Sequence, residues 1–185
     1  HGMRARNDAI LVGARTALFD NPSLTCRLPG LEAASPIRVV VDARLSLPLT
    51  HSLVETAGET PTWIITRADG DTARREAYRQ AGVHLIDVAV DEDGKINLIE
   101  ALAALAALGV TRLMVEGGGR IIAGLLAAGL ADRLVWFRAS KLIGGDGVPA
   151  IAGFGVQTLD AAANFVKDST RAAGADIVET YARDH

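Results

Sequence analysis

Short apolar runs alternate with helical patterns along most of this chain, and that alternation constrains the fold more than any other feature. "DAILVG" (8–13), "PIRVVVDA" (36–43), "PTWIIT" (61–66), "VHLIDV" (83–88) and "RLMVE" (112–116) read as strands. Their apolar, often β-branched runs suit strands buried on both faces. "DTARREAYRQAG" (71–82), "NLIEALAALAALG" (97–109) and "GRIIAGLLAAG" (119–129) read as helices, each closed by a glycine suited to the left-handed C-terminal position. On the first of these, Ala73, Ala77, Tyr78 and Ala81 share one face. Asn21-Pro22 stops the helical turn begun in "ARTALFDNP". Alternation of this kind predicts an α/β fold, a mostly parallel central sheet flanked by helices. "DRLVWFRASKLIG" (132–144) starts as a strand and runs into a glycine-rich loop. The tail carries two strand-like runs with Gly174 between them, which predicts a C-terminal antiparallel hairpin at the sheet edge.

No repeat, low-complexity stretch or linker interrupts the 185 residues, so one domain over 1–185 is expected. The opening "HGMRARNDAILVG" reads as the last turn of a helix entering a strand, and the chain looks N-terminally truncated. A net charge of -3 with no basic stretch argues against nucleic acid as a partner. The longest apolar run is broken by Glu100 and Gly109 and is too short for a bilayer, so no membrane association and a cytoplasmic location are expected. Cys26 is the only cysteine, which excludes an intrachain disulfide and a cysteine-cluster zinc site. It is read as a small buried thiol. His51 and His84 show no metal-ligand spacing, and no metal is expected. Trp63 and Trp136 fall in strands and are read as core.

The chemistry concentrates at two strand ends. In "LMVEGGGRII" (113–122) a buried strand ends in Glu116, three glycines follow, and a helix begins. Ligands of open parallel sheets sit beyond the carboxyl ends of strands. Glycines there let backbone approach a ligand, and a helix N-terminus offers free N–H groups to a phosphate. The spacing is neither the dinucleotide fingerprint, since Ile122 stands where its last glycine would be, nor a P-loop. By themselves the glycines also fit a tight turn packed with small residues. A carboxylate at the end of an apolar strand is costly to bury alone, so Glu116 points to a site. The second stretch is "AILVGARTALFDNPSLTCR" (9–27), where Thr16, Asp20, Thr25 and Arg27 crowd into a proline-limited loop.

Together, "DAILVGARTALFDNPSLTCR", "PIRVVVDA", "VEGGGRIIAGLLAAGLADRL" and "SKLIGGDGVPA" come in an order and spacing that closely resemble the reductase domain of the bifunctional riboflavin-biosynthesis deaminase/reductase, over nearly the whole chain. The resemblance implies a dihydrofolate-reductase-like fold and NADPH-dependent reduction of a phosphorylated pyrimidine, 5-amino-6-(5-phosphoribosylamino)uracil, at ribose C1′. It implies that Thr16 and Asp20 touch the nicotinamide half of the cofactor. Gly118, Gly119 and Arg120, with Ile121, Ile122, Ala123 and Gly124, would hold the pyrophosphate. Arg4, Leu24, Arg27 and Glu116 would contact the substrate, with Asp20 first and Glu116 second as the group that positions or relays a proton. It also implies a homodimer and a zinc deaminase domain that can be joined upstream. A strand and a Ser-x-x-x-Trp-type segment would precede His1. Where the family often has serine after "VVVD", this chain has Ala43 and Arg44, so Arg44 and Arg67, each just past a strand, become candidates for the cofactor's 2′-phosphate. Two further readings stay open: a non-catalytic nucleotide-binding or dimerisation domain of this fold, and a reductase acting on another pterin-like or pyrimidine substrate.

Overall fold

A computed structural model describes residues 1–184. By its internal contacts the chain divides into two compact units, one over residues 1–121 and one from residue 122 on.

The first unit holds five strands, all parallel: β1 (Ala9–Gly13), β2 (Ile37–Val41), β3 (Thr62–Thr66), β4 (His84–Asp87) and β5 (Leu113–Val115). Their order is β4-β3-β2-β1-β5. Both faces of β1, β2 and β3 are covered, which is why these strands read as continuous apolar runs rather than alternating ones, whereas β5, read above as buried, is only half-buried. All five residues of β1 are buried. On one face Ile10, Val12, Val40 and Ile64 pack with Ala17, Leu53, Val54 and Tyr78, contributed by α1 (Ala14–Asp20), α2 (Ser52–Glu55) and α3 (Thr72–Gln80). On the other, Leu11, Val39, Ile65 and Ile86 meet Ala101 and Leu105 of α4 (Leu98–Ala107). Each fully buried valine, isoleucine or leucine of this kind contributes roughly 1.5–3 kcal/mol.

Local signals explain where the helices begin and end. The Asp71 side chain accepts from the Arg74 N–H and starts α3, and Asn97 accepts from the Ile99 and Glu100 N–H groups and starts α4. Gly82 and Gly109, past the ends of those helices, adopt φ of 85° and 92°. The buried face of α3 differs from the expected alanine stripe: Tyr78 is buried, Ala73 is exposed, and Arg75 takes its place inside. Arg75 is buried because its guanidinium has partners there, the Asp87 carboxylate at 2.6 and 2.9 Å and the Arg67 carbonyl at 2.8 Å.

Arg38, in the middle of β2, is the largest fully buried side chain and has no carboxylate partner. Its terminal nitrogens donate to the Thr56 hydroxyl (2.8 Å) and to the carbonyls of Thr56 (3.0 Å) and Thr60 (2.7 Å), with longer contacts to Ser23 and Leu53. Burial pushes its pKa down to about 10, with Glu59 opposing, so it stays charged at neutral pH. The charge ties α2 and the chain after it to the sheet.

At the opposite end of β1, Asp8 joins β1 to the entry of β5. One carboxylate oxygen accepts from the Thr111 hydroxyl (2.8 Å), the Thr111 N–H (2.9 Å) and the Arg112 N–H (2.7 Å). These bonds hold its pKa at about 2, led by the Thr111 hydroxyl. The folded value lies below the ordinary one near 3.9, so the stabilisation is present above that pH and is lost as pH falls toward 2. Asp8→Asn is therefore expected to lower Tm at pH 7, with the gap to the parent narrowing below pH 4. A gap that does not change with pH between 7 and 3 would show that the carboxylate charge contributes nothing.

The second unit contains most of α5 (Gly119–Ala127), then β6 (Arg133–Arg138), β7 (Phe165–Ala173) and β8 (Asp176–Arg183). The expected antiparallel hairpin forms, with Gly174 in its turn at φ 63°. Its sheet is separate: β6 pairs with the other edge of β8, giving the order β6-β8-β7. The strand-like stretch from residue 157 is a strand only from Phe165; Leu159–Ala161 is a 3-10 turn. Trp63 and Trp136 lie in strands but are half-buried, whereas Cys26 is buried as expected. No helix among the described residues is long and apolar enough to cross a membrane, and among them no cluster of three His, Cys, Asp or Glu can hold a metal.

Candidate active site

From β1 the chain steps outward one strand at a time through β2, β3 and β4, then returns to the far side of β1 as β5. The order reverses between β1 and β5. At such a switch point the connections leave in opposite directions and a crevice opens beyond the carboxyl ends of the strands. The two sequence stretches singled out above are the continuations of β1 and β5.

The backbone of Glu116 extends the pairing, its N–H donating to the Leu11 carbonyl (3.0 Å). Gly117 and Gly118 then both adopt φ of 85°, a left-handed conformation that side-chain-bearing residues rarely take. Two such residues in succession reverse the chain at once, and α5 starts at Gly119. A Cβ on Gly117 would lie 3.5 Å from the Thr16 methyl, and one on Gly118 would lie 3.4 Å from the Gly13 nitrogen and 3.7 Å from the Thr16 hydroxyl. The glycine turn thus rests on the β1–α1 junction, with Thr16 beside it.

Glu116 has a partner that the sequence did not reveal. Arg4 grips it with both sides of its fork, Nε to Oε2 at 2.9 Å and Nη2 to Oε1 at 2.6 Å, while Nη1 donates to the Thr25 carbonyl at 3.0 Å. The Arg4 side chain is 14% exposed and that of Glu116 40%, so the pair is half-sheltered. It draws together three separate pieces of chain: the 3-10 turn at Arg4–Arg6, the loop after α1, and the end of β5. The resemblance assigns both Arg4 and Glu116 to substrate; here each is bonded first to the other. Each carboxylate oxygen keeps a lone pair, and each terminal nitrogen of Arg4 keeps one N–H.

The loop after α1 is tightly built. Asn21 caps the helix at φ 39°, its N–H on the Ala17 carbonyl and its side-chain oxygen accepting from the Ser52 N–H (2.9 Å). Leu24 is buried in the core at φ 55°, an uncommon conformation for a leucine that the surrounding packing enforces. The Cys26 N–H donates to the Ser35 hydroxyl (3.0 Å). Asp20, the last residue of α1, and Arg27 are exposed. Among the described residues the Arg27 guanidinium makes no ion pair. The structure therefore brings Thr16, Gly118, Gly119, Arg4 and Glu116 to one strand-end region, with Asp20 at the end of α1 and Leu24 and Arg27 on the loop that follows. Arg120, Ile121, Ile122, Ala123 and Gly124 continue along α5.

The residues present suit an anionic dinucleotide. The first N–H groups of a helix lack intrahelical acceptors and carry the positive end of its dipole, and here they follow directly on two left-handed glycines. Arg120, in that first turn, is exposed.

The parallel sheet, its reversal between β1 and β5, and a glycine turn beside a paired acid at that point define an α/β domain of the dihydrofolate-reductase-like class. The family model described as the RibD C-terminal domain matches residues 1–178. This chain belongs to that family. It is 38% identical over 157 residues to the riboflavin biosynthesis protein RibD of Bacillus amyloliquefaciens, covering 84% of this chain and 41% of that protein. It is 34% identical over 157 residues to a 2,5-diamino-6-ribosylamino-4(3H)-pyrimidinone 5′-phosphate reductase of Archaeoglobus fulgidus, covering 80% of this chain and 69% of that one. The chain spans about half the length of the curated RibD relatives it matches. Among solved structures, Acinetobacter baumannii RibD superposes with a TM-score of 0.81 at 19% identity, over 99% of this chain and 49% of that chain. The deaminase/5-amino-6-(5-phosphoribosylamino)uracil reductase of Thermotoga maritima gives 0.77 at 22%, over 100% and 47%. At those identities the likeness carries the fold.

Proposed function

We propose that this chain is the reductase of riboflavin biosynthesis, using NADPH to convert 5-amino-6-(5-phosphoribosylamino)uracil to its ribitylamino product. The observation that carries the reading is the Arg4–Glu116 pair placed beside the Gly117–Gly118 turn at the sheet's reversal point. In this reading Glu116 serves the substrate and the glycine turn beside it serves the cofactor's phosphates, a division that the pair's position supports.

The reduced nicotinamide supplies a hydride. The substrate's C1′ gains it, the bond from C1′ to the ring oxygen opens, and that oxygen gains a proton. The chain's own task is to hold and orient the reactants and to handle that proton. Gly118, Gly119 and Arg120, with Ile121 to Gly124 behind them, hold the pyrophosphate by N–H groups and charge. Thr16 and Asp20 border the nicotinamide half. Glu116, held in place by Arg4, accepts from the pyrimidine's N–H groups through the lone pairs that Arg4 leaves free. Arg27 carries an uncommitted guanidinium for the substrate phosphate, joined by the remaining N–H groups of Arg4. Leu24 shapes the loop between them. Asp20, exposed at the end of α1, is the first candidate to position or relay the proton, with Glu116 second.

The test is direct: NADPH oxidation followed by absorbance, with the ribosylaminouracil phosphate as substrate. Binding of NADPH without turnover would favour a non-catalytic domain. The Archaeoglobus relative, of which this chain covers the larger share, is named for the 2,5-diaminopyrimidinone phosphate instead. Running both pyrimidines side by side separates those two reductions, and faster turnover of the diamino compound would overturn the first choice.

Two further inferences accompany this one. The chain works in the cytoplasm, with or without a deaminase domain joined to it. It also pairs with a second copy through β7. Among the described residues the outer edge of that strand, Phe165–Ala173, has no partner strand, and Val166 on it is exposed. Such an edge invites another chain if left bare. Light scattering at micromolar concentration is expected to read twice the 19.4 kDa chain mass, and a monomer reading would refute the pairing.

A further inference from the structure

We propose that His1 is a positioning residue for Arg27, and that the turn it belongs to sets where the substrate's phosphate is held relative to its pyrimidine. This rests on the reductase reading, in which Arg27 takes the phosphate and Glu116 the pyrimidine. It adds the residue that fixes the first of these groups with respect to the second.

Arg27 needs an outside anchor because its own stretch has no regular structure. Residues 21–31 lie in neither helix nor strand, so their backbone N–H and carbonyl groups must find partners elsewhere. From Thr25 to Arg27 each residue is held by a side chain from outside the stretch. The Thr25 carbonyl accepts from Arg4 Nη1 (3.0 Å), the Cys26 N–H donates to the Ser35 hydroxyl (3.0 Å), and the Arg27 N–H donates to His1 Nδ1 (3.1 Å). The Cys26 thiol also lies 3.6 Å from the His1 carbonyl, so His1 touches two successive residues of the loop. Leu24 and Cys26 are buried and Arg27 is exposed, so the backbone is pinned at the point where the guanidinium leaves for solvent.

Two of these three partners sit on one turn. The Ala5 N–H donates to the His1 carbonyl (3.0 Å), the Arg6 N–H to the Met3 carbonyl (3.1 Å), and the Asn7 side-chain amide to the same Met3 carbonyl (2.8 Å). Residues 1–7 are thereby closed on themselves. From this turn Arg4 reaches Glu116 while His1 reaches Arg27. The acid and the guanidinium are thus tied to each other through a few residues of hydrogen-bonded chain, not only through the sheet. A substrate whose phosphate and pyrimidine stand a set number of bonds apart is measured by such a link.

The chemistry of the imidazole suits this place. An accepting Nδ1 carries no proton, so the ring is the neutral tautomer with its proton on Nε2. A carboxylate would accept the same N–H, but it would also draw the guanidinium beside it and compete with the phosphate. A neutral acceptor holds the backbone and leaves the charge of Arg27 uncommitted. The loop is pre-organised while the guanidinium stays free, which lowers the ordering cost of binding an anion.

Initial-rate kinetics of the whole chain, with NADPH and the ribosylaminouracil phosphate each varied in turn, test this. His1→Ala should raise KM for the phosphate substrate about three- to tenfold, the scale of one neutral hydrogen bond, and leave kcat and the KM for NADPH within about twofold. His1→Asn places an amide oxygen where Nδ1 now accepts and should return the substrate KM to that of the parent. In an Arg27→Gln background His1→Ala should add nothing, because the group it positions is already gone. Four results would each overturn the proposal while parent turnover keeps the reductase reading: a substrate KM unchanged by His1→Ala, a KM raised equally for NADPH, a penalty that His1→Asn does not relieve, or full additivity with Arg27→Gln. A parent that oxidises no NADPH with this substrate overturns both.

Discussion

Glu116→Gln is expected to lower kcat/KM by about ten- to a hundredfold while NADPH affinity stays within about twofold. The amide keeps the shape of the side chain but turns one oxygen into a donor. Arg4 then faces an N–H where it now donates at 2.6 or 2.9 Å, and it loses the charge that holds it. Part of the effect is structural, because the pair links the Arg4–Arg6 turn to the end of β5. With Glu116 40% exposed, solvent screening keeps that part near the modest scale of surface ion pairs, so Tm should fall only slightly. Asp20→Asn makes the contrast. Asp20 is exposed and forms none of these links, so its loss should depress kcat with little change in NADPH affinity or Tm. An unchanged kcat with a raised KM would make Asp20 a binding residue and leave Glu116 as the acid to test for the proton.

The difference between these two carboxylates was only half legible in the sequence. That Glu116 needs a partner followed from a charge at the end of an apolar strand. That the partner is Arg4 did not, because 112 residues separate them and only the sheet order brings them together. The central parallel strands β1, β2 and β3 were readable because burial on both faces leaves a local mark, an unbroken apolar run. The side of the sheet each helix covers was less so. On α3 the alanine periodicity promised a face through Ala73, yet Arg75 is inside, since Asp87 on the neighbouring strand waits for it. Asp42 and Arg38 carried no readable signal either. One organises a turn and the other satisfies four carbonyls and a hydroxyl, and both jobs exist only after β2 and β3 have paired. The closing hairpin was visible from its turn glycine, but not that β6 would join β8 in a separate sheet. Strand patterns record which face is buried, not which edge is taken.

Gly118→Val is expected to lower Tm by several degrees and abolish measurable NADPH binding, and the reason differs from the one the glycine run first suggests. A bare glycine beside a phosphate invites the idea that any Cβ would stand in the ligand's space. In this turn the Cβ of residue 118 would instead face the β1–α1 junction, 3.4 Å from the Gly13 nitrogen, 3.6 Å from Ile121 and 3.7 Å from the Thr16 hydroxyl. Those are ordinary or slightly tight contacts for one methyl. The main cost is conformational: φ is 85°, where an ordinary L-residue loses about 1–2 kcal/mol and a β-branched one loses more. Valine adds two methyls that must crowd Thr16 or Ile121. The chain would relieve this by changing φ at residue 118, which would swing the start of α5 and its N–H groups off the position proposed for the phosphate. Strain and steric exclusion predict different orders in a series of variants. Asparagine tolerates the left-handed region, so if strain governs, Gly118→Asn costs less than Gly118→Ala in both Tm and NADPH affinity, and Gly118→Val costs most. If exclusion from the ligand's space governs, alanine is the mildest of the three and Tm stays level across the series. The second order would put the Cβ of residue 118 in the cofactor's space and remove the β1–α1 junction from the account of how this turn is held.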